Sequence, residues 1–309
     1  MVLLVIEVNI SPELISQRTA ECNVSCTSMV VTVFGDSISQ HGGWIWLGSL
    51  IQALEPFGYT ERLVRTAVFR LAQQDWLQIK KIGRRSYYCF TDSANHFTEK
   101  AARRIYSAST RDWDGSWTLV SPVFVPEDQK GEFRKSMLWQ GYHSLVNGMY
   151  AHPSSEKTSL EETLHEQNLL GKVIVFSASA DDLNSQAALK TLAEQKWNLD
   201  ELRGMYGDFL KFYQPLILKL GSSNPGPELS FQIRTLMLHE YRRVLLRDPD
   251  FPEAMLPNGW IGFEANDIAR HLYALLSENS LDYLHKKMEN AQGPLPEVSA
   301  HYFKRFGGI

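Results

Sequence analysis

Between Leu47 and Phe90 the spacing of apolar residues changes twice, and each change marks an element. Leu47, Leu50, Ile51 and Leu54 recur at i, i+3, i+4 and i+7, which predicts a helix with one apolar face. Pro56, Phe57 and Gly58 interrupt it. Thr60 followed by Glu61 then supplies an N-cap and an acidic first turn for a second helix. At about 100° per residue this helix places Leu63, Val64, Ala67, Val68 and Leu71 on one face and Arg62, Arg65, Thr66, Phe69 and Arg70 on the other. Leu77 to Ile82 and Tyr87 to Thr91 read as strands, joined through Gly83-Arg84-Arg85-Ser86 with two arginines at the tip. Helix, break, cationic helix and basic hairpin is the order of a winged helix, which lays its second helix in the DNA major groove and its wing on the backbone. In that arrangement Arg62, Arg65, Thr66 and Arg70 are the groove candidates, and Lys80, Lys81, Arg84 and Arg85 would neutralise phosphates. The plain alternative is a helical hairpin and ribbon whose arginines are only solvated.

Beyond the hairpin, Asp92-Ser93 can cap a connecting helix with Phe97, Ala101 and Ile105 on one face and Lys100, Arg103 and Arg104 toward the other. Trp117 to Phe124 then suggests a strand, moved toward a sheet edge by Pro122. Residues 128–139 form a helix with Phe133 and Met137 inward, and 141–152 hold two short strands about Asn147-Gly148. Ser159-Leu-Glu-Glu162 reads as a capping box opening another helix, and Val173 to Phe176 as a last strand. The order β, α, β, β, α, β is that of a small ferredoxin-like domain. Asp112 and Asp114 read as turn formers rather than metal ligands.

The remainder is mostly helical. Leu202, Met205, Tyr206, Phe209, Tyr213 and Leu216 make a stripe with Pro215 near its end, and a loop fills 221–227. A long helix carries Ile233, Met237, Tyr241, Val244 and Leu245 on one side and stops before the prolines at 249, 252 and 257. Two further amphipathic segments are predicted at about 264–277 and 280–289. The fold expected is thus α+β and multidomain: an extension over 1–28, a winged helix-turn-helix over 29–92, a connecting helix over 93–112, a ferredoxin-like domain over 113–180 and a helical domain over 181–309.

Charge sharpens this division. The chain of 309 residues carries a net −4, yet residues 29–106 hold ten Lys and Arg against six Asp and Glu, a net +4 that leaves −8 elsewhere. Only the N-terminal portion is dressed for nucleic acid. Three cysteines are too few for a disulfide framework, and Cys22 with Cys26 lacks the partner pair of a zinc site. His165-Glu166 and His239-Glu240 each lack the second histidine of a zinc protease motif, and no phosphate loop occurs, so no metal and no cofactor is expected. The apolar start Met1 to Ile6 is too short for a signal core, and nothing approaches a membrane span, so a reduced, cytoplasmic protein is expected.

One stretch admits a second chemistry. Val30 to Ser39 resembles the strand and nucleophile block of GDSL/SGNH hydrolases, with Ser37 as nucleophile, His285 as base and Asp282 as orienting acid. Against it, that fold needs alternating strands and helices where two helices and a basic hairpin follow, and its oxyanion asparagine block is absent. Asp282 and His285 also lie on a segment whose Leu281, Leu284 and Met288 mark an amphipathic helix. In the DNA-binding reading, residues 30–38 form the first helix of the winged helix, against the preference of β-branched Val30 to Val33.

Several runs carry a family resemblance: Gly42-Gly43, Trp46-Leu-Gly-Ser-Leu50, Glu61-Arg-Leu-Val-Arg-Thr66, Phe69-Arg-Leu71 and Ile82-Gly-Arg-Arg-Ser-Tyr87, then Tyr241-Arg-Arg-Val244, Asp248-Pro249, Leu256-Pro257, Trp260 and the ending Tyr302 to Gly308. In this order, over about residues 29–309, they resemble the PaaX family of repressors of phenylacetic acid degradation. The resemblance implies a Cas2-like central domain, a homodimer on near-palindromic double-stranded operator DNA, phenylacetyl-CoA as inducer and no enzymatic activity. It also implies that the helical C-terminal domain takes the effector and dimerises. An acyl-CoA needs cations for phosphate and an apolar slot, for which Arg242, Arg243, Tyr241, Tyr213 and Trp260 are the candidates, with Arg234 and Arg247 nearby.

Overall fold

The structure, a computed structural model, describes residues 11–107, 113–146, 148–153, 157–221 and 225–309. Residues 1–10 of the extension, Asp112, Asn147 of the expected hairpin turn and part of the 221–227 loop lie outside the described residues. The chain divides into two compact units that do not follow its linear order. One takes the described residues before 109 together with Asp208–Arg243 and Glu264–Ile309; the other takes those between 109 and Gly207 together with Val244–Phe263.

The first unit opens with helices α1 (Pro12–Glu21) and α2 (Cys26–Asp36), the latter capped by Ser25, whose hydroxyl accepts from the Ser28 amide at 3.2 Å. Val30 to Val33 are helical despite their branching, because Val30, Thr32, Val33 and Phe34 are all buried, and burial outweighs propensity. Strand β1 (Ile45–Trp46), helix α3 (Leu47–Leu54) and helix α4 (Glu61–Gln73) follow, then strands β2 (Leu77–Ile82) and β3 (Arg85–Phe90). The three strands form one antiparallel sheet in the order β1-β3-β2. This is a winged helix-turn-helix.

Helix α5 (Asp92–Ile105) departs from expectation at two points. Its cap is Thr91, one residue early, whose hydroxyl accepts from the Ala94 amide at 3.2 Å. Lys100 is buried while Phe97 is exposed enough to lean edge-on against Trp76, centroids 5.5 Å apart. A long aliphatic stem lets lysine lie along apolar surface, which periodicity alone does not anticipate.

The second unit contains β4 (Trp117–Ser121), α6 (Lys130–Trp139), β5 (His143–Val146), β6 (Met149–His152), α7 (Thr158–Glu166), β7 (Ile174–Ala178) and α8 (Leu183–Lys196). The sheet order β5-β6-β4-β7, with all neighbours antiparallel, is that of a ferredoxin-like fold. Its core gathers Val120, Phe133, Met137, Leu160 and Leu164. The predicted capping box is absent: α7 begins at Thr158, which leaves Ser159 inside the first turn with its carbonyl accepting from the Thr163 hydroxyl at 2.9 Å. Asp114 is a turn former, its carboxylate accepting from the Ser116 amide at 2.9 Å.

Helices α9 (Leu199–Leu220), α10 (Pro227–Leu245) and α11 (Gly262–Lys287) complete the helical part, and a short hairpin of β8 (Glu289–Asn290) and β9 (Gly293–Pro294) follows. The two amphipathic segments expected at 264–277 and 280–289 are one uninterrupted helix. Ser277 and Ser280 donate their hydroxyls to the carbonyls four residues back, at 2.6 Å each, so the polar interval between the two stripes stays helical.

Candidate nucleic-acid interface

The turn between α3 and α4 relies on Gly58, at φ +85°, where a side chain would be strained. Thr60 caps α4 by accepting from the Leu63 amide. Val64, Ala67, Val68 and Leu71 are buried against the unit, so Arg62, Arg65, Thr66, Phe69 and Arg70 are left exposed on the far side. Leu63, assigned to the inner face from its spacing, is instead 49% exposed. It stands at the rim of the apolar stripe, where about 100° per residue carries a side chain round to the flank.

Arg65 donates from Nε to Glu61 at 2.7 Å, with both side chains more than half exposed. An ion pair so solvated is weak and easily exchanged for a phosphate or a base edge. The Thr66 hydroxyl donates to the Arg62 carbonyl at 2.8 Å and keeps its lone pairs for an outside donor. Burial raises the Tyr88 phenol pKa while the nearby Arg65 charge opposes that rise, which places the wing strand beside this face.

In the wing, Lys80 and Lys81 are exposed on β2, paired with Tyr87 and Ser86. The turn is tighter than expected: Gly83 and Arg84 alone form it, and Arg85 belongs to β3. Arg85 lies over the Trp46 ring at 4.2 Å and donates to Glu289 at 2.8 Å. It therefore braces the tip end of β3 against Trp46 of β1 and Glu289 of β8, next to Arg84 in the turn.

Behind the helices lies a buried ionic cluster that the sequence reading missed. The Asp36 carboxylate accepts from Arg305 at 2.7 Å, Tyr273 at 2.7 Å, Tyr106 at 2.8 Å, Ser37 at 3.2 Å and Arg234 at 3.2 Å. Arg234 also donates to Tyr302, and Tyr302 to Ser277. Two guanidinium groups thus share one carboxylate among three phenols. The cluster fastens α2, the first helix of the winged helix, to α5, α10, α11 and the C-terminal turn. Its two arginines lie 198 and 269 residues from Asp36, so no local pattern could reveal it; the only signals were the ending Tyr302 to Gly308 and the isolated Asp36.

Of the effector candidates, Tyr213 and Tyr241 come together around Phe209. Tyr213 is buried and donates to Glu240 at 2.9 Å; Tyr241 is buried and accepts from Asn266 at 2.7 Å. Phe209 packs on both, with centroids 4.6 and 5.7 Å away. Arg242 is largely buried, which lowers its pKa, and donates to Ser28 at 3.3 Å. Arg243 donates to the Cys22 carbonyl at 3.2 Å. Trp260 belongs to the other unit, edge-on to Tyr206 at 6.0 Å. The hydrolase triad is not assembled either: Ser37 is fully buried in the Asp36 cluster, Asp282 pairs with Lys286 at 2.7 Å, and His285 meets the Leu295 carbonyl at 3.0 Å.

Comparison with known proteins covers the same ground. A PaaX-like protein family matches residues 25–94, the PaaX central Cas2-like domain matches 110–190, and the PaaX-like C-terminal domain matches 197–286. The transcriptional repressor PaaX of Escherichia coli (strain K12) is 38% identical over 288 residues, which is 93% of this chain and 91% of that protein. Uncharacterized protein Rv0674 from Mycobacterium tuberculosis shares the fold at a TM-score of 0.53 and 19% identity, over 82% of this chain and 97% of that one. Among the described residues, no helix is long and apolar enough to cross a membrane. With a winged helix, a Cas2-like sheet domain and a helical C-terminal part matched in this order, the chain belongs to the PaaX family of transcriptional repressors of phenylacetic acid catabolism.

Proposed function

We propose that the chain is a cytoplasmic, homodimeric repressor that holds near-palindromic operator DNA of phenylacetate catabolic genes and releases it on binding phenylacetyl-CoA. The observation that carries this reading is the outer face of α4, where Arg62, Arg65, Thr66 and Arg70 are all exposed opposite a buried apolar stripe and beside a basic wing. Lys80, Lys81 and Arg84 would track phosphates, with Arg85 completing that set once Glu289 yields it. For release, the effector must prefer a conformer that cannot bind DNA, with a coupling of about 1–3 kcal/mol typical of such switches. An acyl group reaching Tyr213 and Tyr241 would have to displace Phe209, so ligand and present packing would exclude one another. Arg242, Arg243 and Trp260 are the further candidates for the liganded state.

Fluorescence anisotropy at fixed moderate salt, with DNA from upstream of the neighbouring genes, tests this directly. Specific binding that phenylacetyl-CoA reverses and free phenylacetate does not is the expected result; absence of specific binding would defeat the proposal. In the same assay, Arg65→Ala should weaken specific binding by about 1–3 kcal/mol without loss of folding, because its side chain points away from the core. Operator affinity equal to wild type would remove α4 from the readout. Lys80→Ala should instead weaken binding to all sequences alike and reduce the slope of log K against log salt by about one. An unchanged slope would take the wing off the phosphates.

A further inference from the structure

The outer face of α4 contains a residue that cationic recognition does not explain. Val64, Ala67, Val68 and Leu71 define the buried direction of the helix, and Phe69 points within about 30° of the opposite one. Its ring is 61% exposed, and its neighbours on the same face are Arg62, Arg65, Thr66 and Arg70. An isolated exposed apolar side chain usually needs no explanation. This one stands on the surface proposed to enter the groove, one turn beyond Arg65 and Thr66 and next to Arg70, so whatever the arginines approach meets the phenyl ring as well.

A phenyl group has no hydrogen-bond donor or acceptor and cannot read the N7, O6, O4, N4 or N6 edges of the bases. The one apolar group that unmodified DNA presents in the major groove is the C5 methyl of thymine. Set among arginines suited to guanine and phosphate, the ring adds the complementary preference. We propose that Phe69 reads a thymine methyl in each half-site, a specificity contact that rests on the DNA-binding reading and extends it. The arginines would still supply most of the affinity, and Phe69 would select among sequences they accept.

Replacing deoxythymidine by deoxyuridine deletes that methyl and leaves base pairing intact. The test uses the full-length protein and one duplex that the wild type enriches from a random-sequence pool, prepared with thymine and again with every thymine replaced by uracil. Both are titrated by anisotropy at one salt concentration against wild type, Phe69→Ala and Arg65→Ala. Wild type should bind the uracil duplex roughly ten- to hundredfold more weakly, as expected for two buried methyls, one in each half-site. Phe69→Ala should bind the two duplexes alike, and Arg65→Ala should be weaker on both while keeping the wild-type ratio. Equal binding of both duplexes by wild type overturns the proposal. So does an undiminished ratio in Phe69→Ala, which would trace the uracil effect to DNA shape. Failure to enrich any sequence would defeat the DNA-binding reading itself, and Phe69 with it, and is told apart from the other two outcomes because no duplex would exist to compare.

Discussion

Asp36→Asn is expected to lower the free energy of unfolding by about 3–5 kcal/mol, the cost typical of leaving a buried charge without its partner. The carboxylate is the acceptor for Arg234, Arg305, Tyr106 and Tyr273 at once, and an asparagine amide would turn two hydrogens toward groups that are themselves donors. Urea unfolding near neutral pH measures the loss; a change below about 1 kcal/mol would mean that water or relaxation replaces the carboxylate.

The same residue predicts the acid limb of stability. Burial alone would raise the Asp36 pKa, but the charges of Arg234 and Arg305, with hydrogen bonds from Tyr273 and Tyr106, hold it below the ordinary 3.8. A carboxylate that titrates lower when folded adds stability that is complete above its unfolded pKa and is lost as the pH falls through the folded one. The gap between wild type and Asp36→Asn should therefore be constant near neutrality and narrow once the pH drops below about 3.8.

Deletion of residues 1–23 is the second change with a large expected effect, about 3–6 kcal/mol from one buried aliphatic side chain and one broken ion pair. Ile15 and Thr19 of α1 are buried, and Arg18 reaches across to Glu240 at 2.7 Å, lying over the Phe212 ring at 4.5 Å on the way. Without α1, Glu240 keeps, among the described residues, only the Tyr213 hydroxyl in a site nearly closed to water. Thermal unfolding of the shortened chain beside the full one reads the effect, and equal midpoints would make α1 an appendage. Deletion stops before Val24 because the Tyr59 hydroxyl donates to that carbonyl at 2.8 Å and Ser25 caps α2.

What the sequence could disclose follows the range of each interaction. Helix α4 was legible because its period, its Thr60 cap and the break at Gly58 are all local, and only Leu63, at the rim of the stripe, fell on the wrong side. Ser159 looked like a cap because the capping pattern is short and recurs by chance, and α11 looked like two helices because serines that bond back to their own helix resemble a polar gap. Ser37 was read as either a nucleophile or the end of a helix, and what separates the two is Arg234, some two hundred residues away. The effector candidates were chosen for residue type and nearness in sequence, and aromatic stripes beside arginines are what a helical core and its edges contain anyway.

The position of Lys80 and Lys81 has a consequence apart from DNA. Strand β2 is the outer member of its sheet and is open on both faces, with Ile79 at 47% and Ile82 at 44% exposure. Such an edge is a template on which a strand from another molecule can grow, and two apolar residues facing water add to the hazard. Paired lysines between those isoleucines would bring like charges together in any copy laid alongside, so the wing resists stacking on its own kind while staying attractive to a polyanion. One feature would thus keep separate copies of the chain from joining through their sheets.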